Sequence, residues 1–140
     1  MNREILFKAK REDNGEWVEG QYAYINNPLT ENGQQIRHLI CNGTNIFNYE
    51  INPDTLCQYT GFTDKNGKKI FEGDIVRDGE NYGEVKFGLY ESDWQIDKYN
   101  QGFFVTFPKE YLFRRELGFW RNKIVVVGNI FDNANLLEVE

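Results

Sequence analysis

A chain of 140 residues is long enough to bury one cooperative core and too short for two full domains, so a single domain over 1–140 is expected. Its composition, 40% hydrophobic and 27% charged, is that of a packed globular protein and excludes disorder and fibrous repeats. The formal net charge of −6 repels a nucleic-acid backbone and an anionic membrane surface, so both are disfavoured partners unless a local basic patch overrides the sum.

Aromatic residues make up 16% of the chain, and bulky rings favour pleated, half-buried surfaces. Thirteen glycines against three prolines point the same way, because many short strands need many tight turns. The longest apolar run, Ile124 to Val127, falls far short of the ~20 residues that span a bilayer. The opening Met1-Asn2-Arg3-Glu4-Ile5 has no apolar stretch behind it, so no secretory signal is read there and a cytoplasmic location is expected. In that reducing compartment Cys41 and Cys57 are expected as free, partly buried thiols.

In chain order, Ile5, Phe7 and Ala9 alternate with Leu6, Lys8 and Lys10, which predicts a strand with one face on a core. Asn14-Gly15 predicts a hairpin, with Trp17 to Ile25 as the returning strand. Residues 26 to 33 turn to Asn, Pro, Thr and Gly and read as a loop. Short strands are expected at Arg37 to Cys41 and Ile46 to Ile51, joined through Asn42-Gly43, and another near Thr55 to Tyr59. The stretch Thr60 to Phe71 carries a polar turn ending in Asn66-Gly67 and predicts a second hairpin. Strands then follow at Ile75-Val76, Gly83 to Phe87, Gly102 to Phe107 and Ile124 to Ile130. Tyr111 to Leu117 is expected to form one or two helical turns, and Asp132 to cap a short C-terminal helix packed through Leu136 and Leu137.

The run Gln58-Tyr59-Thr60-Gly61-Phe62-Thr63-Asp64-Lys65-Asn66-Gly67-Lys68-Lys69-Ile70-Phe71-Glu72-Gly73-Asp74-Ile75-Val76 closely resembles the signature of the YopX family of small phage and prophage proteins. Phe7-Lys8-Ala9, Gly83-x-Val85-x-Phe87, Gly102-Phe103-Phe104-Val105 and Val127-Gly128-Asn129-Ile130-Phe131 follow in the family's order. The departures are Lys10, at a position usually aromatic, and the segments 26–50 and 88–122, where little aligns. The resemblance implies a mainly β fold with little helix: an SH3-like β-barrel in the C-terminal half and an additional N-terminal β-rich portion, with 1–58 and 59–140 as the subdivision. It implies a phage or prophage origin and no activity. Within the signature, Gly61, Gly67 and Gly73 read as backbone-shape requirements, Tyr59, Ile70, Ile75 and Val76 as core, and Asp74 as a cap for backbone amides.

Catalytic and metal chemistry is thinly provided for. His38, Cys41 and Cys57 fall short of the four convergent ligands of a structural zinc site, and His38 reads as an outward-facing strand residue. Asp64-x-Asn66-Gly67 matches the start of a calcium loop, but Lys68 and Ile75 stand where that loop needs its later ligands. Residues 72 to 93 gather Glu72, Asp74, Asp78, Glu80, Glu84, Glu91 and Asp93 against Arg77 and Lys86, a solvated acidic face from which no spacing selects a catalytic pair. No catalytic, cofactor-binding or metal residue is therefore assigned.

The opposite charge collects at Lys109 to Lys123, where five cations outnumber two carboxylates. Tyr111, Phe113, Arg114, Arg115, Phe119, Trp120 and Arg121 form the candidate interaction surface, since Trp, Tyr and Arg anchor protein interfaces. The same mixture grips single-stranded nucleic acid, which makes a nucleic-acid-binding accessory factor the alternative. A third reading packs these rings on the barrel and leaves the arginines solvated. The leading expectation is a non-enzymatic accessory protein that acts through protein contacts or self-association, without a cofactor.

Overall fold

The computed structural model describes residues 5–26, 36–41, 48–91, 99–107 and 115–137. These residues are mainly β, arranged in antiparallel sheets with one four-residue helix and two short 3-10 turns. The chain divides into two compact units, Met1–Tyr59 and Thr60–Glu140.

In the first unit the strands are β1 (Phe7–Lys10), β2 (Trp17–Asn26), β3 (Ile36–Cys41) and β4 (Asn48–Glu50). They lie in the order β4-β3-β2-β1, and β1 also pairs with the first residues of β5 (Cys57–Thr63) at Lys8↔Cys57 and Phe7↔Gln58. The expected β1–β2 hairpin is present. Gly15, at φ 73°, returns its N–H to the Arg11 carbonyl at 3.0 Å, and the Asn14 amide oxygen accepts the Glu16 N–H at 2.9 Å. Beyond β4 the chain comes back to β1: Glu12 N–H donates to Glu50 O and Asn52 N–H to Lys10 O, both at 2.9 Å. A 3-10 turn at Pro53–Thr55, capped by the Asn52 side chain, then leads into β5, which starts later than the sequence suggested because Pro53 and Asn52 favour a turn there. Ala9, Ile40 and Ile51 form this unit's core, with Phe7, Val18, Tyr22 and Leu56 packed against it.

In the second unit the end of β5 forms the expected hairpin with β6 (Lys69–Phe71). Strands β7 (Asp74–Asp78), β8 (Asn81–Glu91), β9 (Tyr99–Thr106) and β10 (Val125–Asn129) make a four-stranded sheet in the order β10-β7-β8-β9. Among the described residues this sheet is open, with β10 and β9 at its edges. The helix α1 (Leu117–Trp120) lies four residues before β10 and later than the Tyr111–Leu117 turns expected from sequence, of which 111–114 fall outside the described residues. A 3-10 turn at Ala134–Leu137 stands where a helix capped by Asp132 was expected. Ile70, Val76, Val85, Val105, Leu117, Trp120 and Ile124 form the core.

The signature run is the joinery of this unit. Gly61, Gly67 and Gly73 hold φ of 90°, 85° and 86°, a region that costs a side chain with a Cβ about 1–2 kcal/mol. Asp64 and Asp74 are buried at 6% and 1% exposure, and their oxygens accept backbone N–H groups. Asp74 takes that of Phe71 at 2.8 Å, which is the capping role expected of it. Asp64 takes those of Asn66 and Lys68 on one oxygen, each at 2.9 Å, and that of Val126 on the other at 2.8 Å. With the Lys65 N–H on the Ile124 carbonyl at 3.2 Å, the 64–68 turn therefore covers the outer edge of β10.

Candidate functional site

The cationic, aromatic segment separates into packed and solvated parts. Tyr111, Phe113 and Arg114 lie outside the described residues. Arg115 is exposed, while its carbonyl accepts the Val105 N–H at 2.8 Å and Glu116 bridges to Phe104, which ties the segment to β9. Trp120 is 4% exposed, tilted on Phe107 at 5.3 Å between centroids and edge-on to Phe119 at 5.1 Å. Phe119 is half-buried against the same core, under the Lys123 ammonium at 4.3 Å. The Arg121 guanidinium lies 5.2 Å over Phe62. Trp120 thus corrects the expectation made of it: its ring fills the core, and only Arg115 and Arg121 of the described candidates stand well into solvent.

The other chemistry-bearing residues are similarly absorbed. His38 does not face outward but shares the face of Ile40. Its Nδ1 lies 2.6 Å from the Tyr22 hydroxyl, its ring is parallel to Tyr22 at 6.0 Å, and Tyr24 meets it edge-on at 5.4 Å. The reason is that β3 carries apolar residues on both faces, Leu39 and Ile40 being buried back to back, so alternation did not mark an outside. Cys41 and Cys57 are free thiols, and Cys57 Sγ lies 3.2 Å from the Thr55 carbonyl. Among the described residues no three His, Cys, Asp or Glu side chains gather around a point that a metal ion could occupy. A shallow groove of about 400 Å³ in the first unit is lined by Arg11, Glu12, Asp13, Arg37, Tyr49 and Glu50. Both arginines there are engaged: Arg11 forks onto Asp13 and lies 4.6 Å over Tyr49, and Arg37 donates twice to one Glu50 oxygen at 2.7 and 3.0 Å.

Exposed large apolar side chains occur in the first unit, where Tyr24, Ile25 and Ile36 lie at the paired ends of β2 and β3, and in the second unit on strands β8 and β9. Their register places Val85 opposite Val105, Phe87 opposite Phe103, Leu89 opposite Gln101 and Glu91 opposite Tyr99, all on one face because side chains two apart share a side. Val85 and Val105 belong to the core, but further along the strands that face opens to solvent: Phe87 is 50% exposed, Leu89 70% and Tyr99 61%. Phe87 stands edge-on to Phe103 at 4.9 Å. On the opposite side Gly88 faces Gly102, leaving it without side chains at that step. Pairing of β7 with β8 ends at Ile75↔Glu84, the Gly73 N–H adds a bond to the Val85 carbonyl at 2.8 Å, and from Phe87 onward, among the described residues, β8 and β9 pair only with each other as a two-stranded ribbon. Sequence reasoning stopped one strand at Phe87 and began the next at Gly102, taking the glycines as ends. The signal missed was the continued alternation through Leu89, with Tyr99 and Gln101 in phase on the return.

Two units of antiparallel sheet, one bearing the β8–β9 ribbon with its apolar face, define a mainly β scaffold in which the buried carboxylates Asp64 and Asp74 serve its own turns and edges. The chain belongs to the YopX protein family, which matches residues 6–138. Among solved structures, the crystal structure of protein EF1440 from Enterococcus faecalis is similar, with 22% identity and a TM-score of 0.48 over 98% of this chain and 100% of its own. No curated protein matches the chain.

Proposed function

We propose that this protein is a non-catalytic accessory factor of a phage or prophage, working in the host cytoplasm through protein contact. The observation that carries the reading is the apolar face of the β8–β9 ribbon, where Phe87, Leu89 and Tyr99 hold large side chains in water at a cost that burial against a partner would recover. Support also comes from the described carboxylates and the imidazole, which are engaged in structure or dispersed. We read the second unit as an open SH3-like barrel, on the strength of the order β10-β7-β8-β9, the continuation past β9 at Glu116, and a helical turn before β10.

The test is affinity capture from phage-infected or lysogenic cells with the tagged wild type and with a Phe87→Lys, Leu89→Lys variant. A protein held by the wild type and released by the variant is the expected result. Equal retention by both would move the contact elsewhere, and neither a partner nor self-association in the wild type would overturn the reading.

A further inference from the structure

Within the second unit the fold draws together two cationic segments that lie far apart in the chain. The Lys65 N–H reaches the Ile124 carbonyl at 3.2 Å, and the Val126 N–H reaches the Asp64 carboxylate at 2.8 Å. Gly118 lies against the Phe62 ring, whose Cζ would stand 3.7 Å from a Cβ at that position. Residues 60–71 and 117–127 together hold five cations, Lys65, Lys68, Lys69, Arg121 and Lys123, against a single carboxylate, Asp64. Asp64 is buried, with its oxygens taken by three backbone N–H groups, whereas Lys65, Lys68, Arg121 and Lys123 are exposed. Two of the cationic heads are held in place by rings packed on the core: Arg121 lies 5.2 Å over Phe62 and Lys123 4.3 Å over Phe119. A head so held has less rotamer freedom left for a partner to freeze. Like charges brought this close repel one another, so the backbone bonds hold the patch together and a carboxylate-bearing partner relieves it.

We infer that this patch is a docking site for an acidic peptide segment of another protein, whose carboxylates meet Lys65, Lys68, Arg121 and Lys123. It is a surface separate from the β8–β9 ribbon and stands or falls without it. Charge complementarity names the occupant, because the patch is cationic in a chain whose net charge is −6. Charges in water are screened over about 8 Å at physiological ionic strength, so a short acidic segment seated on the patch feels chiefly the cations beside it. An extended polyanion reaching past the patch meets the repelling remainder of the molecule. Nucleic acid is disfavoured on a second count. Bases are gripped by stacking on open ring faces, and Arg121 and Lys123 lie over Phe62 and Phe119 here. Carboxylates need no ring, only charged N–H donors, which one guanidinium and three ammonium groups supply.

Fluorescence anisotropy of the purified full-length protein with a labelled oligo-glutamate peptide tests this. The peptide is expected to bind at low salt and to weaken as salt rises. Lys68→Glu turns an attraction into a repulsion and is expected to raise the dissociation constant roughly tenfold. Lys86→Glu, an equal change of net charge at an exposed position on β8, is expected to leave it within about twofold. Because Lys68 borders the buried Asp64, the double variant Arg121→Gln, Lys123→Gln gives a second reading away from that turn, with an expected loss of roughly fivefold. Circular dichroism unchanged among the variants confirms that the fold is intact. A Phe87→Ser, Leu89→Ser variant of the ribbon is expected to bind the peptide as the wild type does, so failure of this site is distinguishable from failure of the ribbon reading. Absence of peptide binding at low salt overturns the proposal, and so does equal loss in Lys68→Glu and Lys86→Glu, the mark of net charge alone. An oligonucleotide of the same charge, or anionic vesicles, bound as tightly as the peptide would overturn the assignment to an acidic peptide.

Discussion

Asp64 shows how one side chain of the signature sets local geometry and pH response together. Burial pushes its carboxyl up, and the N–H groups of Val126, Lys68 and Asn66, with the Lys68 charge, push it down by more, so it sits below its ordinary value of 3.8. An unfolded chain therefore takes up this proton before the folded one does. The stabilisation is whole above the ordinary value and drains away as pH falls through the lower folded value. Asp64→Asn is expected to cost roughly 2 to 3 kcal/mol at neutral pH, since an amide cannot accept all three donors. Urea midpoints measured from pH 7 downward should show the gap between wild type and variant closing below the ordinary carboxylate range. A gap constant to pH 2 would mean the carboxylate's charge is not what holds the turn.

At the scale of elements, the stretch from Arg115 to Lys123 tests whether rings among cations mean recognition or packing. Trp120→Ala should cost about 3 to 5 kcal/mol by emptying the core, whereas Arg121→Ala should stay within about 1 kcal/mol, the worth of an exposed cation over a ring. Thermal denaturation of the two variants decides it, and near-equal effects would contradict the packing described. The same stretch shows what could be read without coordinates. Asn14-Gly15 and Asn66-Gly67 announced their hairpins because positive φ leaves few residue types to choose from. Asp78-Gly79, where β7 ends and the two-residue turn Gly79-Glu80 begins with Gly79 at φ 62°, carries a signal of the same kind and passed unread. Trp120 and His38 were placed outside because composition ranks residue types by chemistry but not by direction. A four-residue helix has too little period to reveal which side is inward. The ribbon was hidden by Gly88 and Gly102, whose facing positions depend on a register that only pairing across strands defines.

For the whole molecule, the net charge of −6 and the burial of Trp120 act in one direction on nucleic acid. Stacking needs an open ring and phosphate contacts need a cationic field, and among the described residues of the segment the Trp120 ring is closed into the core. Fluorescence anisotropy with single- and double-stranded oligonucleotides at low salt should show no binding. Binding that weakens steeply with added salt would restore the nucleic-acid reading. The family tie spans residues 6–138 and so covers both units, although little of the signature's evident pattern lies in the first. The N-terminal unit's order was legible through its hairpin dipeptides, while its return from Ile51 to Arg11 was not, because that bridge links positions with no local pattern in common.

The hydrogen bond from Val126 to Asp64 joins residues 62 positions apart. On the ribosome, the turn at 64–68 is complete long before residue 126 is synthesised, so during that interval one oxygen of a carboxylate destined for burial faces water and no β10 exists to be covered. The nascent second unit must wait for its last strand before its core can close, and a cell making this protein has to keep that half-built sheet from meeting others of its kind.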